Sequence, residues 1–200
     1  MENQNQKFEF LFTPKRNKIA PAIGRVLIAE PLLQGKFFTR SVILLTEHNH
    51  NGSMGLVLNK PLILNVSEAV DLLPTCHSPI YLGGPVHKDH LFYIHTLGNK
   101  IPQSYPLSND LFWGGDLNTL QELLENGEIN SHQVRFFTGA SGWSLGQLED
   151  ELAENSWVVS MLSTDTIMNT ESEKLWETAV SELGRRYSHW IHFPESLILN

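Results

Sequence analysis

The pentapeptide Gly142-Trp143-Ser144-Leu145-Gly146 fits G-x-S-x-G, the pattern of a nucleophile elbow that lifts a serine hydroxyl on a sharp turn between a strand and a helix. Hydrolysis at such a serine needs an imidazole to take the hydroxyl proton and a carboxylate to orient the imidazole. Both follow downstream: Asp165 or Glu171 as acid, His189 or His192 as base. The same residues also make a helix start. Gln147 stands three positions after Ser144, the spacing of a capping box, with Trp143 and Leu148 placed as a hydrophobic staple. Glu149, Asp150 and Glu151 fall in the first turns, where the helix dipole favours carboxylates. This arrangement employs more of the residues, so Ser144 is expected to cap a helix through the amide of residue 146 or 147. The nucleophile is the alternative.

Nine histidines invite a metal, through His48 and His50, or His87, His90 and His95. None of these sets, with or without Cys76, has the spacing of a familiar zinc site. No metal and no cofactor is expected. The string "YLGGPV" runs a strand into two glycines and a proline without the lysine and hydroxyl residue of a phosphate loop. A second glycine turn covers 139–142. If the two strands are neighbours, Asn59, Gly83, Gly84, Pro85, Gly142, Trp143 and Gln147 would border one binding groove.

These groups need elements to carry them. "RVLIAE" reads as the first firm strand, after a polar arm over residues 1–22. "SVILLTEH" and "SMGLVLNK" flank Asn51-Gly52, a hairpin signal. "NVSEAVDLL" reads as a helix capped by Asn65 and Glu68, and "PIYLGG" and "HLFYIHTL" as strands separated by the turn "GPVHKD". A helix is predicted after Asp116 with Leu117, Leu120 and Leu124 inward, stopped by Gly127. "QVRFFTG" and "SWVVSML" read as strands, and a helix from Thr170 turns Leu175, Trp176, Ala179, Val180 and Leu183 inward until Gly184. Tight turns early and helices late imply an α+β fold: one domain over 23–200, a mixed, mainly antiparallel sheet with helices packed on it.

The chain has 200 residues, a formal net charge of -8 and one cysteine. An acidic chain has little electrostatic pull on phosphate backbones, and the helices read above carry Asp and Glu, so direct nucleic-acid binding is not expected. One cysteine excludes an internal disulfide. No apolar run approaches a membrane span or a signal-peptide core, which predicts a soluble cytoplasmic protein.

The strings "GRVLIAEP", "FFTRSVILLTEH", "GSMGLVLNKP", "YLGGPV" and "GASGWSLGQLEDEL", followed by "SWVV", resemble the YqgE/AlgH family in order and spacing from Gly24 onward. The resemblance implies a small bacterial cytoplasmic protein of compact α+β structure and no established biochemical activity. One member is named for an effect on alginate production, the origin of a transcriptional-regulator label. The chain departs from the family at Ala140, with "GASGW" for the common "GYAGW". The reading that follows is a non-enzymatic binding or regulatory protein acting through a protein partner or small ligand. A regulator and a hydrolase built on Ser144 are the alternatives.

Overall fold

Four-residue β1 (Val26–Ala29) and the first half of β2 (Val42–Asn49) are buried on both faces, as their unbroken Val, Leu and Ile runs require. Alternate side chains therefore feed two cores. Val26, Ile28, Val42 and Leu44 enter one, while Leu27, Ala29, Ile43 and Leu45 enter the other. The computed structural model describes residues 19–33, 35 and 37–194. Most of the expected arm over 1–22, with Lys15, Arg16 and Lys18, lies outside them.

β2 and β3 (Gly52–Val57) form the predicted hairpin, Asn49 pairing with Gly52. β4 (Pro61–Asn65) and β5 (Pro79–Leu82) pair antiparallel, with α1 (Val66–Ala69) between them. The Glu68 carboxylate accepts the Asn65 amide at 2.9 Å, as expected, but the helix is only one turn long. β6 (Val86–His95), β7 (Tyr105–Pro106) and β8 (Phe112–Trp113) extend the sheet on its other side. α2 (Leu117–Glu125) starts as predicted, its cap Asp116 accepting from the Thr119 amide. β9 (Val134–Ser144), α3 (Gln147–Ala153), β10 (Trp157–Ser160), α4 (Thr164–Asn169) and α5 (Ser172–Glu182) complete the described chain. The strand order is β10-β1-β2-β3-β9-β6-β8-β7, with β4 joined through β5 to β9. All pairs are antiparallel except β5 with β9, so the sheet is mixed and mainly antiparallel, an α+β fold.

β9 holds this arrangement together and corrects the sequence reading. The turn expected at 139–142 is strand: β9 continues through it to Ser144. Its first half lies between β5 and β6, and its second half pairs with β3. Gly139, at φ +72°, supplies the bend where the partners change. β5 and β6 accordingly flank β9 on opposite sides, and the end of the expected turn "GPVHKD", together with His90, interrupts the β6 ladder between Val86 and Leu91.

Leu175, Trp176, Ala179 and Val180 of α5 cover one face of β1 and β2, and Leu148 of α3 covers the other. A separate core gathers Val66, Ile80, Tyr93, Leu120 and Phe136. α4 was not legible in the sequence, and it takes the cap Ser163, whose hydroxyl accepts the Thr166 amide at 3.0 Å. α5 then starts after Glu171, one residue later than a Thr170 cap would place it.

His95, fully buried on β6, shows what a serine-histidine contact can mean. Nδ1 accepts the Leu97 amide at 3.2 Å, so Nε2 carries the proton. That N–H faces the Gly114 carbonyl at 3.0 Å and Ser104 Oγ at 2.9 Å, while the Ser104 hydroxyl donates to the Ile101 carbonyl at 2.7 Å. The imidazole is a donor to the serine, not a base for it. Burial pushes its pKa below the ordinary value. The unfolded chain therefore takes up a proton near pH 6.5 that the folded chain takes up only at lower pH, so this residue's contribution to stability is complete above about pH 6.5 and is lost, by at most about 1.4 kcal/mol per pH unit, as pH falls through the lowered folded value. Urea unfolding at pH 5.5 and 7.5 should show this loss, and His95→Gln should reduce it.

Candidate functional site

The Ser144 segment is bonded as a clasp. Ser144 ends β9, and α3 begins at Gln147 behind Gly146, which is left-handed at φ +80°. The expected serine cap is thus corrected, because strand pairing with Gly52 holds Ser144 extended and moves the helix start two residues on. Only the return half of the capping box forms: Gln147 Oε1 accepts the Ser144 amide at 3.0 Å. The exposed Ser144 hydroxyl makes no hydrogen bond among the described residues.

Its proposed triad partners are engaged elsewhere. Asp165 accepts from Asn169 at 2.7 Å and Glu171 pairs with Lys174. His189 lies on the 3-10 turn Ser188–His192 and lines a cleft of about 370 Å³ with Glu30, Glu154, Trp190 and Phe193, where burial raises the Glu30 carboxyl pKa.

Beneath Ser144, Glu151 on α3 ties two strands together. Its Oε2 accepts the indole N–H of Trp143 at 2.9 Å and of Trp157 at 2.7 Å, and its Oε1 accepts Gln147 Nε2 at 3.0 Å. The two indoles meet edge to face, with centroids 6.1 Å apart. The "GWSLGQLEDEL" string therefore places an aromatic on β9, another on β10 and one carboxylate between them.

The two glycine turns do come together, but in backbone contact. The Gly83 amide donates to the Thr138 carbonyl at 2.9 Å, its own carbonyl accepts from Val57 and from Ser141 Oγ, and Gly83, Gly84 and Gly139 are all buried. Gly142 is exposed beside them, and Pro85 is half-buried. Asn59 lies apart from this crossing. Its Oδ1 accepts the Val42 amide at 3.0 Å and its Nδ2 donates to the Arg40 carbonyl at 2.9 Å, which fixes the chain entering β2.

Asn59 leads to a face with two adjoining clefts. The first, about 250 Å³, is lined by Arg40 and Lys60, by Glu173 and Glu177, and by Asn59, Ser172 and Trp176, among others. Arg40 stacks over the Trp176 ring at 4.8 Å and donates to the Phe193 carbonyl, and Lys60 Nζ donates to the Thr39 carbonyl at 2.9 Å. The second, about 340 Å³, is lined by His77, Ser78, Tyr81, Ser131, His132 and Arg135, among others. Tyr81 joins them, its hydroxyl accepting from Ser172 at 3.4 Å.

Arg135 is the residue that sequence reading passed over. It sits on β9, 7% exposed, with its guanidinium 4.7 Å from the Tyr81 ring centroid. It donates to the Leu58 carbonyl at 3.2 Å and the Met168 carbonyl at 3.0 Å. The signal was present: a cation inside the apolar run "VRFF" is out of pattern for a buried strand. Among the described residues, no three or more of His, Cys, Asp and Glu gather as metal ligands, and no helix is long and apolar enough to cross a membrane.

A branched, mainly antiparallel sheet bent at Gly139, clasped by a tryptophan pair and bearing two clefts around Tyr81, defines a small α+β protein with a ligand-sized surface. The chain belongs to the AlgH-like family, whose model matches residues 26–188. It is 42% identical to a UPF0301 protein of Parabacteroides distasonis over 195 residues, 96% of this chain and 98% of that protein. A UPF0301 protein of Bacteroides fragilis is 37% identical over 95% of this chain and 97% of its own length. In three dimensions the chain is similar to the AlgH protein of Pseudomonas aeruginosa, with TM-score 0.68, 28% identity, and coverage of 89% of this chain and 98% of that one. A Corynebacterium diphtheriae protein shares the fold at TM-score 0.74 and 22% identity, over 92% of this chain and 97% of that chain.

Proposed function

We propose that the chain is a non-enzymatic binding protein, taking a small ligand or a protein partner on the face around Tyr81 and exerting any regulatory effect through that complex. The observation that carries this reading is the placement of Arg135, which has no carboxylate partner among the described residues, in a cleft lined by no Asp or Glu on a protein whose net charge is -8. A local field opposed to the overall charge draws a complementary group to that one face. Asn59 belongs to this surface, while Gly83, Gly84, Pro85, Gly142, Trp143 and Gln147 line neither cleft. The exposed carboxylates of α2, α3 and α5 favour a partner other than duplex DNA.

The competing hydrolase is tested by treating the intact protein with a fluorophosphonate, which phosphonylates activated serines with loss of fluoride, alongside turnover of simple esters. No adduct and no turnover above the Ser144→Ala background are expected. Stoichiometric labelling of Ser144 would overturn the non-enzymatic reading. Because its hydroxyl holds no bond, Ser144→Ala should change stability by no more than about 0.5 kcal/mol, checked by urea denaturation.

A further inference from the structure

The guanidinium of Arg135 carries a charge that it cannot shed by losing a proton at physiological pH. Charges are rarely buried in proteins without an opposite charge beside them, because desolvation is costly. Arg135 nevertheless has no carboxylate partner among the described residues. Two backbone carbonyls and one ring face are its company, and the two carbonyl bonds use two of the five N–H donors that a guanidinium possesses. Burial lowers its pKa, in keeping with a cation held out of water.

The surroundings repeat the same preference. No Asp or Glu lines the cleft beside Arg135. Its polar lining consists of groups able to donate hydrogen bonds, and they come from separate elements: His77 and Ser78 before β5, Ser131 and His132 on the 3-10 turn Ser131–Gln133, and Arg135 on β9. Donor-capable groups placed around a cleft on separate elements can surround a tetrahedral oxyanion, whereas a planar carboxylate is satisfied by a single fork. The volume of about 340 Å³ falls at the small end of the range for organic ligands, so there is room for a short carbon skeleton as well as the anionic group. Tyr81 and Met168 supply apolar surface for that skeleton.

We propose that the cleft between β5, the Ser131–Gln133 turn and β9 binds a small phosphate monoester, with its phosphoryl group against the Arg135 guanidinium. This assignment rests on the binding-protein reading and specifies the ligand class for it. Arg135 supplies the buried countercharge, and His132 and Ser131 stand at the exposed rim.

Calorimetric titration of the full chain at constant ionic strength tests it, with glycerol 3-phosphate, inorganic phosphate, malonate and glycerol as separate probes. Glycerol 3-phosphate should bind saturably and more tightly than inorganic phosphate or malonate, and glycerol should not bind. Two variants locate the site. His132→Glu places a carboxylate at the exposed rim and should weaken binding by about tenfold or more, leaving the ligand-free unfolding midpoint in place. Arg135→Lys keeps the charge and removes the fork, and should weaken binding about tenfold.

Equal or better binding of malonate would overturn the choice of a phosphoryl group, and equal binding of inorganic phosphate would overturn the choice of an ester. Wild-type affinity in both variants would overturn the site. If no phosphate probe binds while other small molecules still perturb the Tyr81 face, the assignment falls and the broader binding reading stands.

Discussion

Gly84→Ala is expected to be among the most damaging small substitutions in the described chain. Gly84 has φ +154°, and a Cβ added there would lie 2.3 Å from the Ala140 carbonyl carbon and oxygen and 2.4 Å from the Ser141 nitrogen. All three are backbone atoms of β9 just past its bend, so no side chain can swing aside. Relief requires moving β9, and with it the pairing that joins β3 to β6. Backbone strain of about 1–3 kcal/mol adds to overpacking of about 1–3 kcal/mol. The sum, about 2–6 kcal/mol, corresponds at its middle to a fall in Tm of roughly 10 °C for a chain of this size. Gly127→Ala is the control. Gly127 is also left-handed, at φ +68°, but an added Cβ meets nothing within 4 Å, so only local strain of about 1–2 kcal/mol is expected. Calorimetric unfolding of both variants decides the matter, and similar losses would show that the glycine crossing is not a close contact.

The second large effect is expected at Glu151. Truncation to Ala strands two indole N–H groups on side chains only 6% and 4% exposed, Trp143 and Trp157, and removes the acceptor that joins α3 to β9 and β10. Bonds to a charged acceptor contribute about 1.5–3 kcal/mol each, less what water recovers at this half-buried site, so Glu151→Ala should cost about 2–4 kcal/mol. Glu151→Gln retains an oxygen where both indoles converge and should cost about 1 kcal/mol. Tryptophan fluorescence during urea unfolding reports on the same pair of rings. Equal losses in the two variants would mean that the carboxylate acts through packing rather than through the indole bonds.

The clasp also explains which parts of this protein could be read from its residues. β1, the β2–β3 hairpin, α2 and β10 are set by local signals: apolar runs, Asn51-Gly52, Asp116 and Gly127. The second half of β9 is not. "GASGWS" has the composition of a turn, and it is extended because β3 pairs with it and Gly83 and Gly84 admit its backbone, contacts made by residues distant in sequence. Ser144 was misassigned for the same reason, since a strand partner outweighed a capping pattern. The short β4, β7 and β8 likewise depend on neighbours rather than on their own composition.

The ligand-sized surface was legible only in fragments. Asn59 stood out in "GLVLNKP", and Arg135 was visible as a misfit in an apolar strand. His132 lies three residues before Arg135, but Arg40, His77 with Tyr81, and Ser172 come from three other parts of the chain, and the pairing of β9 with β5 and β3 brings them to one face. No periodicity encodes such a meeting.

Amide chemical-shift mapping of the labelled protein against a library of small fragments tests the proposed binding face most directly. The account predicts that saturable perturbations gather at Asn59 and Lys60, at residues 77–82 and 131–135, and at Ser172 and Glu173. Perturbations centred instead on residues 139–147, around the β9 bend and the tryptophan clasp, would contradict it.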